Sequence, residues 1–244
     1  TTTIFRKMKK PRVSIITSIY KSSKFLFDFL LDVKRQSIFN DSEVLLLDAN
    51  EHDANEDYEI IKPFLDIENF KYLKVGEKTV YETWNIGIEI SKSEIICNWN
   101  TDDRRSISSL EKQVEFLEKN IEYDVCYGPS LITSKPNDIF ETTTSKEVFP
   151  AFESTLENHY YHNSPHCFPV WRKSIHDRFG LFDTSYKSAA DYDMWFKLLK
   201  NECKFKNLHQ LVGLYYYNPD GISTNLKNKS NVSKEENDIR SKYI

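Results

Sequence analysis

Glycine is scarce, six in 244 residues, and neither G-x-G-x-x-G nor G-x-x-x-x-G-K-[ST] occurs. Dinucleotide folds and P-loop NTPases use such glycines to bring backbone amides against phosphate, so neither class fits. The four cysteines, Cys97, Cys126, Cys167 and Cys203, never form a C-x-x-C pair. That argues against a zinc or dithiol redox centre and for reduced, mostly buried thiols. No apolar run approaches the ~20 residues a bilayer span requires, and mean hydropathy is −0.58. Positive charge is not in excess either: 33 Lys and Arg against 37 Asp and Glu leave a net charge of −4. A general nucleic-acid binder needs a basic surface, so no nucleic-acid partner is expected. Without a signal-type apolar segment at its start, the chain is expected to be cytoplasmic. The basic run Arg6 to Lys10 is a candidate for peripheral contact with the inner face of an anionic membrane, against the plainer reading of a solvated terminus.

What is present is an alternation of strand and helix signals. Val13 to Ile16, Val44 to Leu47, Phe70 to Val75, Glu94 to Cys97 and Tyr123 to Tyr127 are short apolar runs that read as strands. Between them, Phe25 to Gln36, about Glu56 to Phe64, about Val80 to Ile90, and Ser108 to about Lys119 read as helices, the last opened by a capping-box pattern at Ser108 and Glu111. This alternation implies a largely parallel α/β sheet with helices on both faces. Residues 129–165 read as an irregular region over the sheet edge, His166 to Trp171 as a strand, Ala189 to Lys200 as a helix, and Phe205 to Tyr217 as one or two strands. Asn225 to Lys242 reads as a surface helix or mobile tail. The expected organisation is one domain over 1–244: a nucleotide-binding half at about 12–128, an acceptor and catalytic half at about 129–223, and a polar tail at 224–244.

In such sheets ligands bind beyond the carboxyl ends of the strands. The segments there are Thr17 to Tyr20, Asp48 to Asp53 and Asn100 to Arg104, all polar. With no glycine cradle, a diphosphate would need a divalent metal held by carboxylates, and Asp102-Asp103 follows a strand directly. Side chains alternate along a strand, so one acid is expected to reach a metal while the other faces elsewhere. The plainer reading is that the pair favours the N-terminus of the following helix. Asp191 and Asp193 lie two apart on the late helix, roughly 200° around its axis, so they cannot share one site. One of them is a candidate general base.

Four ordered blocks then resemble family 2 glycosyltransferases, nucleotide-sugar enzymes of the GT-A fold: Val13 to Tyr20, Glu43 to Asp48, Asn100 to Asp103, and Ala190 to Trp195. Trp84 to Ile88, Phe179 to Asp183 and Asp220 to Ser223 match supporting blocks, and the resemblance spans about residues 12–223. It implies a GT-A type, Rossmann-like, mostly parallel central sheet. It also implies donor contacts from Thr17, Ser18, Tyr20, Asp48, Asn85 and Asp102, with Asp103, beside Asp102, on a Mn²⁺ or Mg²⁺ ion. Asp191 matches the general base of inverting members. His166 and Trp195 are the expected acceptor contacts. Two departures stand out: Ala49 where a second Asp is common, which leaves the base open, and Ala190 where a Glu often precedes the catalytic acid.

The implied reaction is metal-dependent, inverting transfer of a hexosyl-type sugar from a nucleotide-sugar donor, a UDP-sugar as first guess, to a hydroxyl of a glycan or glycolipid acceptor in polysaccharide biosynthesis. A nucleotide-sugar-forming nucleotidyltransferase would need a Gly-rich loop after the first strand, and Thr17 to Lys21 has none. A non-catalytic glycan-binding domain on the same fold would be expected to lose the acids, and Asp102, Asp103 and Asp191 are all present.

Overall fold

Strands that are apolar along their whole length need cover on both faces, and burial sorts the strands accordingly. The computed structural model describes residues 10–243. In chain order it contains β1 (Val13–Ile19), α1 (Ser23–Lys34), β2 (Ser42–Asp48), α2 (Glu56–Ile61), β3 (Phe70–Lys74), α3 (Val80–Ile90) and β4 (Ile95–Asn98). Then follow β5 (Arg104–Arg105), α4 (Ser109–Lys119), β6 (Val125–Tyr127), β7 (Ser130–Thr133), β8 (Val148–Phe149) and α5 (Leu156–Tyr161). The chain continues through β9 (Val170–Arg172), α6 (Ser174–Phe179), α7 (Ala190–Lys200), β10 (Phe205–Asn207), β11 (Gly213–Tyr216) and α8 (Lys229–Tyr243).

The main sheet has seven strands in the order β10-β6-β9-β4-β1-β2-β3. β3, β2, β1 and β4 run parallel, whereas β9 is antiparallel to both β4 and β6. β2 is buried at every position, while the edge strand β3 alternates buried Phe70 with exposed Lys71, as one covered and one open face require. α3 packs on β1 and β2, and Gly87 permits the approach, since a Cβ there would sit inside the Ile16 side chain. Residues 129–165 are more ordered than the sequence suggests: β7 and β8 join β5 and β11 in a second sheet, in the order β5-β11-β7-β8.

One local expectation is corrected, and of the two alternatives for the tail the helix is the one found. Ser108 precedes α4 without a side-chain cap, and the true capping box is Thr79 with Glu82 at the start of α3. The Asn225 to Lys242 tail is a docked helix: Ile239 of α8 is fully buried and Tyr243 stacks on Phe196 of α7, with centroids 5.5 Å apart. Arg6 to Lys9 lie outside the described residues, and Lys10 pairs with Glu94 at the surface. Among the described residues no helix is long and apolar enough to cross a membrane. All four cysteines are free thiols, with Cys97, Cys126 and Cys203 buried.

Candidate active site

The carboxyl ends of β1, β2 and β4 are tied together by short side chains. Lys21, in the left-handed region at φ 48°, donates its backbone N–H to Asn50 Oδ1 at 2.8 Å. Asn50 Nδ2 donates to Asp48 Oδ1 and to Asp57 Oδ2, each at 2.8 Å. Ser22 N–H donates to Asp57, and Thr101 Oγ1 donates to Ser22 Oγ at 3.2 Å. These bonds join the three loops into one network. Tyr20, 53% exposed, and half-buried Ser18 face outward, while Thr17 is fully buried with an unpartnered hydroxyl.

After β4 the chain turns rather than extending. Asp103 N–H donates to Asn100 O, so the alternation expected for a strand does not apply to the acid pair. Asp103 is buried; its Oδ1 accepts from Tyr216 N–H at 3.1 Å and its Oδ2 from Asn100 Nδ2 at 3.2 Å. Asp102 Oδ2 accepts from Asn218 Nδ2 at 2.9 Å, just beyond β11. Arg104 and Trp99 donate to the Asp103 carbonyl, which fixes the turn. Burial, and then the charge of Asp102, push the Asp103 carboxyl well above its usual range, and burial raises Asp102 as well. Both carboxylates take their hydrogen bonds from neutral groups. Two adjacent carboxyls are an oxygen donor set that a hard divalent ion suits, with phosphate and water completing its shell. Among the described residues no cluster of three or more acidic, His or Cys ligands exists, so the protein would supply only part of that shell.

Asp191 stands in the first turn of α7, whose N-cap position is Ala189 and makes no side-chain cap. Tyr81 OH donates to Asp191 Oδ1 and Asn163 Nδ2 to Oδ2, both at 2.7 Å. Burial raises the Asp191 carboxyl above its ordinary range, against the opposing pull of these two bonds. Tyr81 is pushed far upward by burial and by the charge of Asp191, so it remains a protonated donor. Asp193 points the other way: Lys242 Nζ lies 2.7 Å and Tyr243 OH 3.1 Å from its Oδ1. The acids lie within electrostatic reach of Cys167, whose thiol is pushed up first by burial and then by the charges of Asp103, Asp102 and Asp191. Next to it, His166 stacks on Phe149 at 3.7 Å with the Tyr215 ring at 4.7 Å. Burial pushes that imidazole down to about 4, and its buried Nδ1 has no partner.

Three expected contacts are corrected. Trp195 is 1% exposed and packed edge-on to Trp171, Phe182 and Phe205, so it is a core residue and not an acceptor platform. Asp48 is fully buried and its carboxylate is taken by Tyr72, Lys74 and Asn50, so it braces the loops instead of facing a donor. Asn85 spends both ends of its amide on the backbone of Phe182. Gly180, at φ 80°, ends α6 and frees that turn, so the blocks at 84–88 and 179–183 are two sides of one clamp leading to α7. Tyr81, Asn163 and Asn218 were not singled out from the sequence. Tyr81 had a signal, being one helical turn before the Trp84-Asn85 block; the other two meet the acids only through tertiary contacts.

The mostly parallel sheet of this α/β protein places the acids beyond its strand ends, where open sheets of this kind bind ligands. The family model for Glycosyl transferase family 2 matches residues 14–179, more than half of the chain, and the chain belongs to that family. An uncharacterised glycosyltransferase of Rickettsia typhi is 24% identical over 210 residues, covering 78% of this chain and 59% of the relative. The poly(ribitol-phosphate) β-N-acetylglucosaminyltransferase TarP of Staphylococcus aureus is 24% identical over 216 residues, 86% of this chain and 62% of TarP. The chain thus spans about three fifths of the length of these curated relatives. Among solved structures, S. aureus TarS 1–349 in complex with UDP-GlcNAc superposes with a TM-score of 0.68 at 15% identity, over 95% of this chain and 71% of that one. The mannosyltransferase PcManGT of Pyrobaculum calidifontis, in complex with GDP-Man and Mn²⁺, gives 0.63 at 14% identity, over 88% and 59%. The chain shares its fold with both.

Proposed function

We propose that this chain transfers a sugar from a nucleotide-sugar donor to a hydroxyl of a glycan, lipid-linked or other glycoconjugate acceptor, with inversion at the anomeric carbon. The observation that carries the reading is that Asp102 and Asp103, closed over by the end of β11, and Asp191, held by Tyr81 and Asn163, all lie within electrostatic reach of one half-buried thiol, Cys167. The family match and the donors bound by TarS and PcManGT, UDP-GlcNAc and GDP-Man, support a nucleotide sugar, with a UDP-sugar the first donor to test.

Asp103, with Asp102 beside it, would hold Mn²⁺ or Mg²⁺; the ion supplies Lewis-acid stabilisation to the departing diphosphate. Asn100, Asn218 and the Tyr216 amide orient the two carboxylates for that purpose. Ser18 and Tyr20, at the end of β1, are the accessible donor contacts. Asp191 removes the proton from the attacking acceptor hydroxyl, and its raised basicity suits that task. Tyr81 and Asn163 hold its oxygens in place, and Tyr81 does not compete for the proton. His166, neutral and stacked, offers an orphan ring nitrogen to sugar or acceptor. A single base, with no second carboxylate bonded to it, supports one-step displacement and therefore inversion.

The test pairs two variants. Calorimetry with UDP and Mn²⁺ should show metal-dependent binding to the wild type that Asp103→Ala loses. Asp191→Asn should keep that binding and lose transfer. Unchanged affinity and metal dependence in Asp103→Ala would sink the metal assignment, and full transfer by Asp191→Asn would sink the base.

A further inference from the structure

The segment before Asp191 has no cap of its own. Ala189 stands at the N-cap of α7, where its methyl group cannot accept a hydrogen bond, and Lys187 and Ser188 approach it with free backbone donors. Those donors are met from the far end of the chain. Glu235 of α8 accepts Lys187 N–H on Oε1 at 2.8 Å, and Ser188 N–H and Ser188 Oγ on Oε2 at 2.9 and 2.7 Å. Tyr81 OH lies 3.1 Å from the carbonyl of the same Ser188 and 2.7 Å from Asp191 Oδ1, its one proton shared between them with Asp191 the nearer acceptor. The charge of Glu235 reaches Tyr81 as well, contributing to its raised pKa.

The rest of α8 grips both flanks of this spot. Tyr186 OH donates to Asp238 at 2.7 Å, and Lys242 and Tyr243 hold Asp193 on the opposite side of α7. Arg240 donates to Tyr160 O at 3.0 Å, at the end of the helix that leads to Asn163, the second partner of Asp191. Ile239 is fully buried beneath these contacts. A carboxylate at the mouth of a helix is also favoured by the helix dipole.

We infer that α8 is a brace for the catalytic base and that Glu235 is its positioning residue, acting through Ser188 and Tyr81 on Asp191. The region matched by the family model ends at residue 179, so neither α7 nor its brace lies within it. The inference rests on Asp191 being the base, and a misplacement of about 1 Å in such a group costs up to ~10²-fold in rate.

The experiment uses the full chain and compares Glu235→Ala, Glu235→Gln, Asp191→Asn and Lys234→Ala, an exposed neighbour on α8. It measures kcat, donor KM and amide hydrogen exchange over residues 186–191 below the unfolding temperature of each variant. Glu235→Ala should lower kcat about 10- to 100-fold with donor KM unchanged, and exchange at 187–191 should rise. Glu235→Gln keeps one acceptor oxygen of the right length and should recover part of both losses, while Lys234→Ala should match the wild type. Equal losses in kcat and KM, or none, with Asp191→Asn inactive, would overturn the brace and leave the base standing. A fully active Asp191→Asn, or no transfer by the wild type, would bring down the functional reading instead. The exchange data then decide the brace alone: unchanged protection at 187–191 in Glu235→Ala refutes it.

Discussion

The acid pair and the base are held in different ways. Asp102 and Asp103 sit on a turn whose main fixings are local, Trp99, Asn100 and Arg104, with the end of β11 closing from above. Asp191 owes its setting to α3 through Tyr81, to the loop after α5 through Asn163, and to α8 through Ser188. The pair sets two carboxyls side by side, both raised by burial and Asp103 further by the charge of Asp102, an arrangement that a bound cation would relieve. The base is one raised carboxylate between two neutral donors, an arrangement that suits a proton. The same residue type is thus set in two different environments, each suited to one of the two chemistries proposed.

The sharpest way to break this comparison is to neutralise the base. Asp191→Asn should lower transfer by ~10²–10⁴-fold while metal-dependent UDP binding survives; a matching loss of binding would mean the two sites are not separable. In the wild type the active form is the ionised carboxylate, so transfer should fall as pH drops through a pKa above the ordinary ~4 of an aspartate.

The shell around the base carries a pH sensitivity of its own. His159 on α5 and His176 on α6 are buried and held neutral, each pushed by burial from 6.5 down to about 4. Trp171 Nε1–H donates to His176 Nε2, which forces the proton onto Nδ1, where it meets Gly180 O. A second proton would set N–H against N–H. The unfolded chain binds protons below about 6.5 and the folded chain does not until about 4, so the stability is fully present above 6.5 and lost as pH falls through that window. Each histidine should contribute about 1 kcal/mol per pH unit there. Chemical denaturation at pH 7 and pH 5 reads this directly, and His176→Gln should remove the His176 share of the difference and leave that of His159.

Asp193 tests whether two acids on one helix have been assigned to the correct sides. Asp193→Asn should keep catalysis but cost about 1–2 kcal/mol, because the buried carboxylate loses its ion pair with half-exposed Lys242. Inactive Asp193→Asn beside an active Asp191→Asn would exchange their roles. The smallest effect is expected from Tyr81→Phe. It removes one donor that favours the ionised Asp191, so the acid limb of the pH–rate profile should move to higher pH, with a loss of about three- to tenfold at neutral pH.

How much was legible in the sequence follows the range of the interactions. β1, β2, α3 and β4 were readable because a two-sided parallel strand must be apolar throughout and an amphipathic helix must repeat. β9 was placed too early and without its direction. His166 is in the left-handed region, in a turn over 164–167, and antiparallel pairing to β4 and β6 is a property of the partners. Trp195 was read as accessible because its block stands beside the catalytic acid, yet successive helix residues point apart and this one faces Trp171. The tail was read as polar, and it is; its polar groups are spent on Ser188, Tyr186, Tyr160 and Asp193.

The sequence by itself determined the α/β alternation, the family and the acids proposed for the chemistry, since these rest on residue type, order and short-range periodicity. Only the tertiary structure decided which acids face one another, which expected contacts are already occupied, and what holds the base. Hydrogen bonds such as those from Tyr81 and Asn163 to Asp191 join residues far apart in the chain, and no local pattern encodes such partners. Burial then sets their strength: it raises Asp103 and Asp191, lowers His166 and removes Trp195 from reach, and burial is a property of the packed chain.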